Sequence, residues 1–178
     1  MSTSTSLVND VDLEAVGALA SKIADDPAAA ATVWHADVHW SGAFRSEARI
    51  REFPPVPSDE PAALGGSDTA PNPVEQLLAA LGNCLAVGYA ANAAAAGIAI
   101  ERLDIRLSGD LDLRAFLGLA DGNAGFDTIR AEVDLVTDGP DDQRAELHER
   151  VVGTSPVGHT LARAVPVRID LAPRAADA

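Results

Sequence analysis

Cysteine is almost absent from this chain: among 178 residues there is one, Cys84. A single thiol excludes an intrachain disulfide and a cysteine-rich zinc site. Lysine is as scarce. Lys22 is the only one among 13 basic residues, set against 27 Asp and Glu, for a net charge of −14. Such a surface repels phosphate backbones and anionic lipid headgroups, so neither nucleic-acid nor membrane partners are expected. No glycine-rich phosphate loop or dinucleotide fingerprint occurs, and no cofactor is expected. Met1–Ser6 has no basic n-region and no apolar h-region, which argues against an export signal and for a cytoplasmic protein.

What is present suffices for one domain: 47% of the residues are hydrophobic. Residues 1–9 are polar and read as disordered. Leu13, Val16, Leu19, Ala20 and Ile23 recur at helical spacing, so an amphipathic helix is expected over 10–24, ended by Asp25-Asp26-Pro27. The period then changes to two. Trp34, Ala36, Val38 and Trp40 alternate with His35, Asp37 and His39, and Phe44, Ala48 and Ile50 stand opposite Arg45, Glu47, Arg49 and Arg51. These spacings predict two strands joined near Ser41-Gly42, each with one buried face. A long loop over 54–71, with five prolines and the pair Gly65-Gly66, follows. Loops of that length in compact domains often carry function.

The loop leads into the longest apolar stretch. Asn72 suits an N-cap, Pro73 the first helical position, and Glu75 the third, an Asn variant of the capping box. The helix is expected to run to about Ala96 and to stop at Gly97. Its small residues leave little polar face, so it reads as a core helix buried on most sides, with a second copy of itself as a plausible partner. Further strands are expected over 103–113, with a kink at Gly109, and over 129–135. A helix over 141–152 and a short helix opened by Ser155-Pro156 come next. A last strand carries Val165, Val167, Ile169 and Leu171. Helices segregated from strands in this way imply an α+β domain with an antiparallel sheet. The expected division is an extension over 1–30, a domain over 31–172 and a loose tail over 173–178.

Cys84 shares its helical face with Leu77, Ala80, Leu81, Val87, Gly88 and Ala91, all apolar or small. That face alone suits an inert buried thiol. A reactive one needs a cation from another segment, for which Arg45, Arg49 and Arg51 are candidates. His35, Asp37 and His39 share a strand face; a solvated outer face is the plainer reading, a metal site the sharper one. Ser155 does not stand in a nucleophile elbow and fits a helix cap.

Asn72-Pro73-Val74-Glu75-Gln76-Leu77-Leu78-Ala79-Ala80-Leu81-Gly82-Asn83-Cys84 resembles the first motif of the OsmC/Ohr family. Ser155-Pro156-Val157-Gly158-His159 resembles its second, where a Cys-Pro-Val segment opens a short helix. The similarity spans roughly residues 34–171. It implies an intertwined homodimer in which two long central helices pack together inside sheets. It also implies hydroperoxide reduction: the first-motif cysteine attacks the peroxide and becomes a sulfenic acid, and the second-motif cysteine forms a disulfide with it. An arginine held by a glutamate stabilises the thiolate. The site residues carried over are Cys84, Arg45, Glu75 and Ser155. Ser155 replaces the resolving cysteine and cannot form a disulfide. The family glutamate falls on Val74, with Glu75 beside it. Nine residues separate Glu75 from Cys84, about half a turn around the helix and ~13 Å along it, so it cannot reach its own Cys84 and suits the capping box better. Glu60 is a further candidate to hold the arginine. The expected function is a one-cysteine, thiol-dependent peroxidase using a small hydroperoxide and an external thiol reductant. The alternatives are a non-enzymatic dimer that binds a small hydrophobic ligand, and a member that has lost the activity.

Overall fold

A computed structural model describes residues 7–172. The expectations for residues 1–6 and for the tail over 173–178 lie outside the described residues. Helix α1 (Leu13–Asp25) opens on Asp12, whose side chain accepts the Ala15 N–H, and it ends where expected. The described residues before it are not free, contrary to the disorder expected for that part of the stretch. Val8–Asp10 form a 3-10 turn. The Asn9 amide donates to the Ile98 carbonyl at 2.9 Å, and its oxygen accepts the Ile100 N–H at 2.9 Å. One side chain thus satisfies a backbone donor and an acceptor at the start of a strand.

Strands β1 (Asp37–Gly42), β2 (Arg45–Arg49) and β3 (Val56–Ser58) form an antiparallel sheet in that order. The third strand was expected to be loop. Its prolines hide it, but Pro57 lies on the sheet's edge strand, where a missing N–H costs little. The buried face predicted for the first strand is also absent within one chain: Trp34, Val38 and Trp40 are 81%, 69% and 68% exposed. No described element of the same chain covers them.

Helix α2 (Pro73–Ala95) begins with both halves of the capping box, Asn72 Oδ1 accepting the Glu75 N–H and Glu75 Oε2 accepting the Asn72 N–H. Gly97 terminates it in the left-handed conformation. Leu81, Leu85, Tyr89 and Ala93, four residues apart, are its buried ridge. By length and composition α2 could cross a membrane, yet this ridge packs into the core of the domain. The opposite face is open, with Val87 exposed, so within one chain the helix is not buried on most sides. Gly88 lies on the packed side. A Cβ there would stand 3.0 Å from Val151 Cγ1, so glycine lets the two helices approach closely.

Strands β4 (Ile100–Leu111) and β5 (Phe126–Thr137) pair as a long antiparallel hairpin, joined through the single turn α3 (Leu113–Phe116). β4 passes through Gly109 without breaking. The Phe126 ring lies where a Cβ on Gly109 would be, only 2.6 Å from its nearest atom. Leu103, Ile105 and Leu107 pack against the core, while Arg102 on the outer face pairs with Asp134 at 2.8 Å. Helices α4 (Asp141–Thr154) and α5 (Pro156–Leu161) return across α2 and bring Leu147 and Val151 into the core. The final strand expected at Val165–Leu171 does not form. The alternation is present in the sequence, but no strand among the described residues pairs with it, and Val167, Ile169 and Leu171 are exposed. The architecture is α+β, a long central helix against antiparallel sheet.

Candidate active site around Cys84

Cys84 follows Leu81 by three residues on α2, so it borders the buried ridge and is itself half-buried. Ser155 is the junction of α4 and α5. Pro156 holds the first position of α5, and the Ser155 hydroxyl caps that helix by accepting the Gly158 N–H at 3.1 Å. The side chain is buried. A Cβ on residue 158 would stand 3.0 Å from Ser155 Oγ, so the glycine keeps the cap uncrowded. The fold therefore brings Ser155 Oγ to 3.3 Å from Cys84 Sγ.

The Ser155 oxygen already accepts the Gly158 N–H, and either the hydroxyl or the thiol can supply the hydrogen between oxygen and sulfur. The pair sets a hydrogen-bonding group against the sulfur, and it cannot close a disulfide.

The other candidates lie elsewhere. Arg45 is exposed and donates to Ser67 Oγ at 3.3 Å. Arg49 pairs with Glu47 at 2.9 Å, and Arg51 stacks over Phe53 with 4.6 Å to the ring centre. Among the described residues no arginine hydrogen-bonds Cys84. Glu75 is spent on the helix cap, and Glu60 accepts from Asn72 Nδ2 at 3.3 Å rather than holding an arginine. The His35, Asp37 and His39 face assembles no metal-holding group among the described residues. His159 Nε2 meets the Gly153 carbonyl at 2.9 Å, away from any carboxylate partner.

Two features escaped the sequence reading. Asp59 is buried and organises the long loop, accepting from the N–H groups of Glu60, Ser67 and Thr69 and from the Thr69 hydroxyl at 2.8 Å. Burial, the largest influence, raises its carboxyl pKa, but these four hydrogen bonds together outweigh burial and hold it below the usual carboxylate value. Gly66 closes the same loop, because a Cβ there would fall 1.8 Å from the Glu60 carbonyl oxygen. Tyr89 is fully buried on α2, its hydroxyl 2.5 Å from His148 Nδ1, and burial raises its phenol pKa. The available signals were weak: an Asp ahead of Gly-Gly and Ser/Thr in the first case, a lone aromatic in an alanine helix in the second.

The sequence profile of the OsmC family, described as OsmC-like protein, matches residues 65–170. No curated protein matches the chain in sequence. Solved structures share the fold. An OsmC-like protein from Mycoplasma pneumoniae superposes with a TM-score of 0.65 at 18% identity, over 75% of this chain and 89% of that one. An organic hydroperoxide resistance protein OsmC from Legionella pneumophila gives 0.54 at 16% identity, over 74% and 91%. An organic hydroperoxide resistance protein from Elizabethkingia anophelis gives 0.53 at 16% identity, over 72% and 89%. With the profile matching more than half of its length, this chain belongs to the OsmC-like protein family.

Proposed function

We propose that the chain is a one-cysteine, thiol-dependent peroxidase acting on small organic hydroperoxides. The observation that carries this reading is the 3.3 Å approach of Ser155 Oγ to Cys84 Sγ, the cysteine of the family's first motif. The organic hydroperoxide resistance proteins that share the fold support it by analogy.

The Cys84 thiolate attacks the distal oxygen of the hydroperoxide. The O–O bond breaks, the alkoxide leaves and takes a proton to become the alcohol, and Cys84 becomes a sulfenic acid. Ser155 donates its hydroxyl hydrogen to the thiolate beforehand. It provides no second sulfur, so an external thiol condenses with the sulfenic acid, releasing water and forming a mixed disulfide. A second thiol then takes the first away as a disulfide and restores Cys84.

The working unit in this reading is a homodimer. Val87 on α2, Trp34 and Trp40 by the first sheet, and Val167, Ile169 and Leu171 are large apolar side chains left exposed in one chain, and exposed apolar groups of this kind mark association surfaces. In this reading a second copy covers them and brings Arg45 of the other chain towards Cys84, supplying a cation where no described arginine of the same chain hydrogen-bonds the sulfur.

The test is a brief organic hydroperoxide pulse in the presence of a sulfenic-acid trap, read by intact-protein and peptide mass spectrometry. The trap is expected on Cys84. Peroxide turnover that persists in Cys84→Ser, or no adduct at any dose that leaves the protein folded, overturns the reading.

A further inference from the structure

Three contacts fix how α4 lies on α2. Cys84 meets Ser155 at the α4–α5 junction, Gly88 faces Val151, and Tyr89 meets His148. Positions advance along α2 as they retreat along α4, so the two helices run antiparallel. Most of the seam is apolar, with Leu81, Leu85, Leu147 and Val151 in one buried cluster. Among the described residues, only Cys84–Ser155 and Tyr89–His148 hydrogen-bond α2 to the α4–α5 segment.

Apolar contacts are non-directional, and a small slide of one helix on another leaves most of their area buried. A hydrogen bond is directional and weakens steeply with misalignment. The Tyr89 hydroxyl stands 2.5 Å from His148 Nδ1, and the two rings are stacked with centres 6.2 Å apart. Tyr89 is fully buried in the ridge of α2, so the core holds its hydroxyl in place. His148 has no other hydrogen-bond partner among the described residues. Seven residues separate His148 from Ser155, close to two turns and ~10.5 Å along one side of α4. A slip at His148 is therefore carried along the helix to Ser155. A misplacement of about 1 Å is enough to cost a reaction centre much of its rate.

We propose that Tyr89 and His148 are positioning residues: their hydrogen bond sets the register of α4 on α2 and so holds Ser155 Oγ against Cys84 Sγ. The consequence for rate rests on the peroxidase reading of Cys84; the consequence for geometry does not.

Ser155→Cys turns the alignment into a measurable disulfide with Cys84. Its effective concentration is read by equilibrating the full-length protein with glutathione buffers, alkylating the free thiols and weighing the products. Added to Ser155→Cys, Tyr89→Phe keeps the ring, removes the hydroxyl, and is expected to lower that effective concentration about ten-fold. His148→Leu, at an exposed position, is expected to do the same. His148→Asn places an amide near the position of Nδ1, able to donate or accept, and is expected to keep most of the parent value. Asp59→Asn, whose partners all lie within the 59–72 loop, is the destabilised control and should leave the value unchanged.

The second readout is a double-mutant cycle in the one-cysteine protein. Tyr89→Phe is expected to slow sulfenic-acid formation at Cys84, and to have no further effect in the Ser155→Ala background, because it acts through Ser155. A general loss of stability would slow both backgrounds alike. An effective concentration unchanged by Tyr89→Phe and His148→Leu overturns the proposal, as does equal slowing with and without the Ser155 hydroxyl. If Tyr89→Phe fails to fold, the two His148 variants decide. If the parent forms no sulfenic acid, the peroxidase reading fails, and the disulfide readout decides the positioning role alone.

Discussion

Cys84 and Ser155 are 71 residues apart in sequence, yet their sulfur and oxygen lie 3.3 Å apart, at the meeting of α2 with the α4–α5 junction. A hydroxyl at that distance cannot trap an oxidised sulfur as a disulfide. Ser155→Cys is therefore expected to convert the centre to a two-cysteine one. A hydroperoxide pulse should yield an internal disulfide between residues 84 and 155, seen as a loss of about two mass units and as faster mobility on non-reducing gels. Ser155→Ala removes the donor to sulfur, a contribution of roughly 1.5 kcal/mol for a bond to a charged partner, and should slow sulfenic-acid formation about ten-fold. Unchanged kinetics in Ser155→Ala would leave Ser155 a helix cap and nothing more.

Asp59 sets the pH dependence of the long loop. Its hydrogen bonds hold the folded-state pKa below the unfolded value of about 3.9. Its contribution is then complete above that value and is lost as pH falls through the folded-state pKa. Protection of the Ser67 and Thr69 amides, corrected for intrinsic exchange, should hold at pH 5 and above and fall towards pH 3. Asp59→Asn turns one acceptor into a donor facing an N–H group, so it should expose those amides at neutral pH and lower the melting midpoint by a few degrees. Normal protection in Asp59→Asn would sink this account of the loop.

The sequence displayed most of what is local. Asn72, Pro73, Glu75 and Gly97 mark the ends of α2 through cap chemistry, which acts within one turn, and the alternation of Leu103 to Leu107 announces β4 because one face is buried by its own chain. What failed was non-local. Val165–Leu171 alternates like a strand but pairs with nothing among the described residues, and β3 is concealed because Pro57 tolerates only an edge position. At the site, the two motifs located Cys84 and Ser155, and spacing correctly placed Glu75 in a cap. The role of Asp59 was not visible, since its partners lie up to ten residues away across a loop with no period.

The open face of α2 makes the assembly testable with one residue. Val87 is 68% exposed in a single chain, so Val87→Asp should change the stability of an isolated chain by no more than about 0.5 kcal/mol. Across a two-fold helix contact, the same change places two carboxylates in an apolar interface. Sedimentation should then show a dimer for the parent and a monomer for Val87→Asp, with sulfenic-acid formation impaired if the second chain supplies Arg45. Arg45→Ala should impair the reaction without dissociating the dimer. A parent protein that sediments as a monomer at micromolar concentration would remove the second copy from the mechanism.

Asn9 ties the N-terminal extension, which precedes the residues matched by the family profile, to the start of β4. It sits at φ 55°, a left-handed conformation that asparagine tolerates and alanine resists. Two losses are therefore combined in Asn9→Ala: backbone strain, and two hydrogen bonds contributing roughly 0.5–1.5 kcal/mol each. Asn9→Gly separates them, since glycine keeps the conformation and loses only the bonds. Hydrogen exchange at the Ile100 amide should quicken in both variants, because its acceptor is gone in both. Stability should fall by about 1–3 kcal/mol in Asn9→Gly and further in Asn9→Ala. Equal stability of the two variants would mean that the left-handed turn relaxes freely. An Ile100 amide exchanging at the parent rate in both would mean that the extension is not fastened to β4 in solution, and α1 would then act as a tethered helix with its Leu13, Val16 and Leu19 face free for another surface.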